Sequence, residues 1–330
     1  MPIENRLYQT YIARHAKDSI TFFTPTYNRA KYLPRVYESL LQQTSSNFVW
    51  IVINDGSTDE TDEIMQGIVD ENKIPILYIK KNNGGKHSAF KIALEKCRTE
   101  YFQCMDDDDI YSSKSVETYL KMWKDINSEL KSNIAAIRTL SQSSDGNIVS
   151  SGPFPFKNDN SDFIDASTLE MNYEFHVHQE NWTCYRTSAL KSIELFPTNY
   201  WLCDQHTFFS ESIWQGRFAR KYKCRYYNIV LREYRDDAEY SIIRAKKGRQ
   251  HYLNMFINSK MILDEQYDYI KKSSVCLLKN VLLINFLRKY LGIKASDLIA
   301  NTNSNKIRAL YYLTMPIAQL GKIVVNRRNI

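Results

Sequence analysis

The stretch that decides the fold is residues 101–113, YFQCMDDDDIYSS, in which a short apolar run ends in four consecutive aspartates, Asp106 to Asp109. The apolar run predicts a buried strand. Carboxylates at the end of such a strand are costly unless cations or hydrogen-bond donors neutralise them. A hard divalent metal takes oxygen ligands and bridges to phosphates, so the stretch predicts a metal–diphosphate site at the carboxyl edge of a sheet. The alternative is a helix N-cap in a solvated turn, which explains one or two aspartates but four poorly.

Three strand–turn–helix repeats lead up to the aspartates. Apolar and β-branched runs predict strands at 19–23, 48–53, 74–79 and 101–105, and helical spacing of apolar residues predicts helices at 31–43, 60–71 and 88–97. This alternation predicts a doubly wound α/β sheet with its site at the carboxyl ends of the strands. Polar turns at 25–29, 54–59 and 106–109 should then lie on one edge of the sheet.

The rest of the chain predicts further sheet and then helices. After a helix at 115–130, we expect strands at 134–140, 182–186 and 226–234, a short helix at 188–193 and a longer one at 203–222. Beyond about residue 241 the pattern is helical, with no strong strand. The two regions differ enough to predict a separate helical C-terminal extension.

Charge is distributed unevenly along the 330 residues. Residues 271–330 contain eleven Lys or Arg and one acid, Asp297, so they carry about +10 while the remaining residues carry −3. A basic segment on an acidic remainder predicts an anionic partner, either nucleic acid or anionic lipid.

The sequence has no 18-residue apolar run and no secretory signal pattern, and its six cysteines lack CxxC spacing. We therefore expect a cytoplasmic location with reduced cysteines.

Four sequence blocks together resemble a known family. TPTYNRAKYL, WIVINDGSTDETDEI, NNGGKHSAF and MDDDDIY occur in the order and spacing of the bacterial family 2 glycosyltransferases of GT-A fold, from about residue 20 to 235. The NGGKH variant suggests a subgroup that assembles surface polysaccharides. The resemblance implies an α/β, Rossmann-like, mostly parallel sheet flanked by helices. It also implies a catalytic domain at 1–240, with nucleotide-sugar binding at about 20–140 and the acceptor and base region at about 141–240, followed by a helical extension at 241–330.

The resemblance also implies a donor pocket. Pro25, Thr26, Tyr27 and Arg29 match the positions that line the nucleotide pocket, where Tyr27 stacks on or borders the base. Asp55 matches the aspartate that hydrogen-bonds the base. A UDP-sugar is the favoured donor.

The same resemblance assigns the metal and the diphosphate contacts. Asp106 and Asp108 match the D-x-D pair that binds Mn or Mg, with Asp107 on the donor side. Lys86 or His87 matches a basic position near the nucleotide, and Lys86 could contact the diphosphate. Metal bound by Asp108 would stabilise the diphosphate leaving group as a Lewis acid.

Inverting transfer needs a base for the acceptor hydroxyl, and the family places a carboxylate about two dozen residues before a Tyr-Arg that ends the last strand. Glu211 lies 23 residues before Tyr234, but its neighbour is Ser212 where the family often has a second acid. Glu211 is therefore the first choice, and Asp204 is the alternative.

The basic C-terminal segment predicts contact with a membrane surface. It mixes Tyr and Leu with Lys and Arg, as do basic amphipathic helices that lie on anionic membranes. The alternative is a helical bundle packed on the catalytic domain. The family resemblance and the basic segment together imply a metal-dependent glycosyltransferase for cell-surface polysaccharide. It would lie at the inner face of the membrane and act on a glycan or lipid-linked acceptor.

Two other functions fit part of the sequence. A nucleotidyltransferase also holds a metal with acids beside a parallel sheet, but it needs a Gly-rich phosphate loop after the first strand, where this chain has TPTYNRAK. A non-enzymatic nucleic-acid-binding protein would explain the basic segment. However, no nucleic-acid motif accompanies the charge, and we expect no nucleic-acid partner.

Overall fold

The computed structural model describes residues 2–14, 16–149, 154, 162–177, 182–197, 200–204, 207–235 and 248–320, and side chains as far as 318. The chain forms two compact units. The first comprises Met1–Glu194 with Phe218–Glu239, and the second comprises Leu195–Arg217 with Tyr240–Ile330. Residues 195–217, expected in the catalytic part, thus cluster with the C-terminal helices. The functional division at residue 240 stays a prediction.

The strands of the described residues all belong to one mixed sheet in the first unit. In chain order they are β1 (Ile3–Glu4), β2 (Ile20–Thr26), β3 (Phe48–Asn54), β4 (Ile76–Lys80), β5 (Tyr101–Cys104), β6 (Ile110–Tyr111), β7 (Ile134–Ser143), β8 (Phe163–Ala166), β9 (Trp182–Arg186) and β10 (Lys223–Tyr234). Their spatial order is β1-β4-β3-β2-β5-β9-β7-β10-β6, with β8 also on β10. Strands β4, β3, β2 and β5 are mutually parallel, which confirms the predicted α/β class.

Helices flank this sheet in the first unit. They are α1 (Arg6–Arg14), α2 (Leu33–Leu41), α3 (Thr61–Glu71), α4 (Lys86–Lys96), α5 (Ser115–Lys124), α6 (Thr168–Tyr173) and α7 (Thr187–Lys191), and α8 (Glu211–Lys221) crosses the boundary between the units in the chain. The helical spacing of α2 buries one apolar face, on which Tyr37 stacks against Trp50 of β3 with ring centroids 6.1 Å apart. All seven residues of β3 are buried, as expected for a strand covered on both faces.

The first strand covers an edge of the sheet. β1 pairs antiparallel with β4, and the Asn5 side chain extends this pairing because its Nδ2 donates to Ile74 O at 2.7 Å and its Oδ1 accepts the Ile76 N–H at 3.1 Å. Sequence periodicity missed β1 and β6, since strands of two residues are too short to display a period.

The helix predicted at 203–222 begins only at Glu211. Asp204 and Thr207 form a local turn instead, in which the Asp204 N–H donates to Thr207 Oγ1 at 2.9 Å. The Ser210 N–H then donates to Asn258 Oδ1 at 2.7 Å, within the second unit. These side-chain hydrogen bonds give the backbone partners that a helix would otherwise supply.

The second unit contains α9 (Arg249–Ile270), α10 (Ser274–Leu291), α11 (Ala295–Ala300) and α12 (Asn305–Leu320). Buried Asn285 of α10 donates to Tyr311 O at 3.1 Å and to Thr314 Oγ1 at 2.8 Å, so α12 is fixed against α10. Three basic residues of the C-terminal segment for which membrane contact was predicted lie outside the described residues: Lys322, Arg327 and Arg328. Among the described helices, none is both long and apolar enough to cross a membrane.

Candidate active site

Loops at the carboxyl ends of β2 and β3 are joined by direct hydrogen bonds. The Asn28 N–H donates to Ser57 Oγ at 2.9 Å, and Asn28 Oδ1 accepts the Thr58 N–H at 2.7 Å. Beside them, Asp59 Oδ2 accepts the Ala30 N–H at 2.9 Å. Asn28 has a φ of 53°, which asparagine tolerates better than most residues. The predicted convergence of these two turns is confirmed.

Asp55 connects the chain segments at the carboxyl ends of β2, β3 and β4 through its hydrogen bonds. Its main-chain N–H donates to Thr26 O at 2.9 Å. Its buried carboxylate accepts the N–H groups of Gly84 at 3.0 Å and Gly85 at 2.7 Å and pairs with the Lys81 ammonium. Both carboxylate oxygens therefore hold the 82–85 turn in place. Contact between Asp55 and the nucleotide base stays a prediction.

Arg29 binds the aspartate turn from the β2 side. Its Nε lies 3.1 Å from Asp107 Oδ1, and its Nη2 pairs with the Asp108 carboxylate. Asp107 is buried within the turn, and its predicted place on the donor side stays a prediction. The turn at residues 106–109 is thus joined to the 25–29 turn by ion pairs, which completes the predicted convergence.

Lys86 pairs with the first residue of the aspartate turn. It is the first residue of α4, and its Nζ lies 2.8 Å from Asp106 Oδ1. Lys86 was predicted at the diphosphate, and its observed partner is one of the two predicted metal ligands. Burial lowers the pKa of neighbouring His87, which favours the neutral form of its imidazole.

Asp109 faces inward, toward the last strand. Its Oδ2 lies 3.5 Å from Arg232 Nη1, and its Oδ1 accepts the Arg235 N–H at 3.4 Å. Both Asp109 and Arg232 are buried. Asp109 therefore anchors the end of β10 to the aspartate turn.

The aspartates differ in their proton affinity. Burial raises the pKa of Asp107 to about 7 and the pKa of Asp109 to about 7, despite the cations beside them. Burial also opposes ionisation of Asp106, but the charges of Lys86 and Arg232 outweigh it and lower the pKa of Asp106. Asp106 is therefore the more strongly anionic group at neutral pH, as a metal ligand must be.

The aspartate turn offers the type of ligand that a hard divalent cation prefers, which is carboxylate oxygen. Asp106 and Asp108 offer carboxylate oxygens, and Mg²⁺ commonly takes only one or two carboxylates together with phosphates and water. Within the described ranges, no three His, Cys, Asp or Glu side chains form a cluster that could hold a metal ion by themselves. A metal here would therefore need oxygens from the donor diphosphate as well. The side-chain cations already offset much of the charge that the sequence argument assigned to metal.

The other predicted nucleotide-pocket residues lie at the end of β2. Thr26 is buried and Pro25 partly buried, while the Tyr27 ring is 48% exposed. An exposed ring is available for stacking, and its contact with a nucleotide base stays a prediction. The two candidate bases, Glu211 and Asp204, belong to the second unit, and their catalytic role stays a prediction.

Sequence reasoning missed four residues that build this site: Lys81, Asp59, Arg35 and Arg232. Asp59 belongs to the quoted NDGSTD block, so its role could have been proposed from the turn alone. Arg35 donates from Nη2 to Asp108 O, and Arg232 pairs with Asp109 across more than a hundred residues. Neither contact can be recognised from a local sequence pattern, because both contacts depend on how distant segments of the chain pack together.

The region that carries this site matches a known protein family. Residues 21–175 match the family described as Glycosyl transferase family 2. An uncharacterized glycosyltransferase of Rickettsia bellii is 35% identical over 116 residues, which are 35% of this chain and 16% of that protein. A teichoic acid poly(glycerol phosphate) polymerase of Staphylococcus epidermidis is 36% identical over 106 residues, which are 32% of this chain and 15% of that protein. The chain thus matches about a sixth of the length of these relatives.

A solved structure has the same fold. TarS 1-349 of S. aureus, in complex with UDP-GlcNAc, superposes with a TM-score of 0.52 at 15% identity and covers 91% of this chain and 80% of that one. The matched residues 21–175 include the turns that carry Arg29, Asp55, Lys86 and the aspartates. Through these residues, the chain is similar to the family 2 glycosyltransferases of bacteria.

Proposed function

We propose that this protein transfers a sugar from a nucleotide-diphosphate sugar to a hydroxyl of a glycan or lipid-linked acceptor in cell-surface polysaccharide biosynthesis, with inversion at the anomeric carbon. The observation that carries the proposal is the convergence of Arg29, Lys86 and Asp106–Asp109 within the family 2 domain. Cations beside ionised carboxylates form a site that is complementary to a diphosphate and a divalent ion.

Donor recognition would use the exposed Tyr27 ring and the 82–85 turn. The Tyr27 ring is available to border the base, and the 82–85 turn, which Asp55 holds in place, would lie near the nucleotide. A UDP-sugar is the favoured donor. Support for it comes from the shared fold with TarS, whose solved complex contains UDP-GlcNAc.

Asp106 and Asp108 would hold a Mn or Mg ion, which when bound supplies Lewis-acid stabilisation of the diphosphate leaving group. Arg29 and Lys86 would contribute further positive charge there, because each carries a cationic group within reach of these aspartates. Asp107 and Asp109 would keep the turn folded rather than bind the donor, since both are buried and paired with arginines.

Glu211 would act as the general base that removes the proton of the acceptor hydroxyl, with Asp204 as the alternative. Glu211 is the first residue of α8, where a carboxylate is stabilised by the positive end of the helix dipole. Asp204 Oδ1 accepts from Thr207 Oγ1 at 3.0 Å, so its carboxylate is held within a local turn.

We further propose that the protein is cytoplasmic and binds the inner, anionic face of the cell membrane. The α12 side chains Tyr312, Leu313 and Ile317 are 59%, 72% and 51% exposed, and nearby Lys306 is exposed as well. An apolar stripe with basic neighbours suits an anionic lipid surface, where a lipid-linked acceptor would be available.

The proposal is tested by thermal shift with UDP-, GDP- and TDP-sugars, each with and without Mn²⁺, followed by measurement of nucleotide release with a lipid-linked acceptor. A bound donor should raise the unfolding temperature in a concentration-dependent way. The expected result is stabilisation by one nucleotide class that depends on Mn²⁺. Failure of every nucleotide sugar to change the unfolding temperature would refute the donor site.

A further inference from the structure

The segment 28–35, NRAKYLPR, places three cations around one aromatic ring. Tyr32 ends a short 3-10 turn, Ala30–Tyr32, that leads into α2, and its ring is buried. The Arg29 Cζ and the Lys31 Nζ each lie 5.1 Å from the ring centroid, and the Arg35 Cζ lies 5.5 Å from it. These distances are within the range of a cation–π interaction.

Two of these cations bind the same residue of the aspartate turn. Arg29 pairs with the Asp108 carboxylate, whereas the Arg35 Nη2 donates to the Asp108 main-chain carbonyl. Asp108 is therefore fixed both at its side chain and at its backbone. Arg29 also reaches Asp107 through Nε, so the two guanidinium groups together hold the middle of the turn.

The ring has a physical role in this arrangement. Two guanidinium groups around one short turn repel each other, and each long side chain loses rotamer freedom when it is held in place. The negative face of an aromatic ring attracts both cations and limits their positions. Because Tyr32 is buried and directly precedes the Leu33–Pro34 start of α2, its ring is itself held in place.

We propose that Tyr32 and Arg35 are positioning residues that hold the aspartate turn in the geometry needed for donor binding. The inference rests on the proposed function, in which this turn binds the donor diphosphate. Neither residue needs to touch the donor, since both act through Arg29 and Asp108.

The experiment compares Tyr32→Leu, which removes the ring, with Tyr32→Phe, which keeps the aromatic face. Arg35→Met and Arg35→Lys form a second pair that removes or keeps the charge. Tyr37→Leu is the matched control, because Tyr37 is also a buried tyrosine of this region but stacks on Trp50. Binding of UDP with Mn²⁺ is measured by calorimetry, and unfolding temperature is measured in parallel.

Tyr32→Leu should weaken UDP binding by roughly 2- to 30-fold, which corresponds to the usual range of a cation–π interaction. Tyr32→Phe should bind UDP like the unmodified protein. Tyr37→Leu should lower the unfolding temperature without a matching loss of affinity. Equal UDP affinity in Tyr32→Leu and Tyr32→Phe, or an equal loss in Tyr37→Leu, would overturn the inference.

Hydrogen exchange of the backbone amides of residues 105–111, measured without ligand, tests the positioning role of Tyr32 and Arg35 independently of donor binding. Tyr32→Leu and Arg35→Met should speed exchange in this segment, while Tyr37→Leu should not do so selectively. Unchanged exchange in both variants would refute the positioning role whatever the protein binds. An unmodified protein that binds no nucleotide would instead refute the proposed function, and the exchange result would still stand.

Discussion

The Lys86 Nζ lies 2.8 Å from Asp106 Oδ1, so a lysine at the start of α4 and an aspartate after β5 share one ion pair. The pair connects a phosphate-compatible helix start to a predicted metal ligand. Binding of a metal and a diphosphate at this place would give Asp106 a divalent partner and Lys86 an anionic one. The ion pair thus links the two halves of the proposed donor site.

Asp108→Asn should remove most transferase activity and abolish the Mn²⁺-dependent part of donor binding, because one anionic ligand is lost. The measurement is a titration of Mn²⁺ against donor affinity, with Glu63→Gln on the exposed side of α3 as the control. The same metal dependence in Asp108→Asn and in the unmodified protein would remove Asp108 from the metal site.

Glu211→Gln should leave donor affinity near normal and lower kcat by roughly two to four powers of ten, the usual effect of losing a general base. The comparison is Asp204→Asn, assayed with the same donor and acceptor. Full turnover in Glu211→Gln with loss in Asp204→Asn would exchange the two roles. Full turnover in both variants would place the base elsewhere.

The paired substitution Leu313→Ser with Ile317→Ser should weaken binding to phosphatidylglycerol vesicles about tenfold, because two exposed aliphatic side chains no longer enter the lipid. Deleting α12 would be a poorer test, since Ile307 and Tyr311 are buried and Asn285 bonds to this helix. Ala300→Ser, on the exposed side of α11, is the control. Sedimentation at low and high salt separates the apolar contribution from the charge. Unaltered vesicle binding would leave this stripe without a membrane role.

Asp59 should make the first unit more sensitive to acid. Burial opposes its ionisation, but hydrogen bonds from Thr61 and Ala30 outweigh burial and lower the pKa of Asp59. A lowered folded-state pKa contributes stability above the unfolded value, near 3.9, which is lost as pH falls through the folded value. Asp59→Asn should therefore cost on the order of 1 kcal/mol at pH 7 and progressively less below pH 4. Urea unfolding at both pH values measures this difference, and a cost that does not change with pH would contradict the assignment.

The strand–turn–helix repeats could be predicted because their signals are local. The apolar run of β3 and the helical spacing of α2 each follow from a few neighbouring residues. The position of the site followed from the same repeats, since parallel strands end at one edge. Short antiparallel additions such as β6 carry no period and were missed.

The partners of the aspartates could not be predicted in the same way. The sequence indicated that Asp106–Asp109 need positive charge, and a metal was the main source that it suggested. Arg232 supplies such charge from β10, whose position beside β6 depends on the order of the whole sheet. The start of α8 was misplaced for a related reason, because Asn258 supplies a hydrogen bond from a distant helix.

The short β1 strand has a consequence for handling the protein. β1 and the Asn5 side chain occupy the outer hydrogen-bonding groups of β4, which would otherwise form an open sheet edge. Open edges of apolar strands recruit strands from other molecules, and β4 reads Ile-Leu-Tyr-Ile at its core. Loss of residues 2–5 would therefore promote aggregation through strand addition. Any shortened form of the chain should therefore keep residues 2–5, so that the pairing of β1 with β4 is kept.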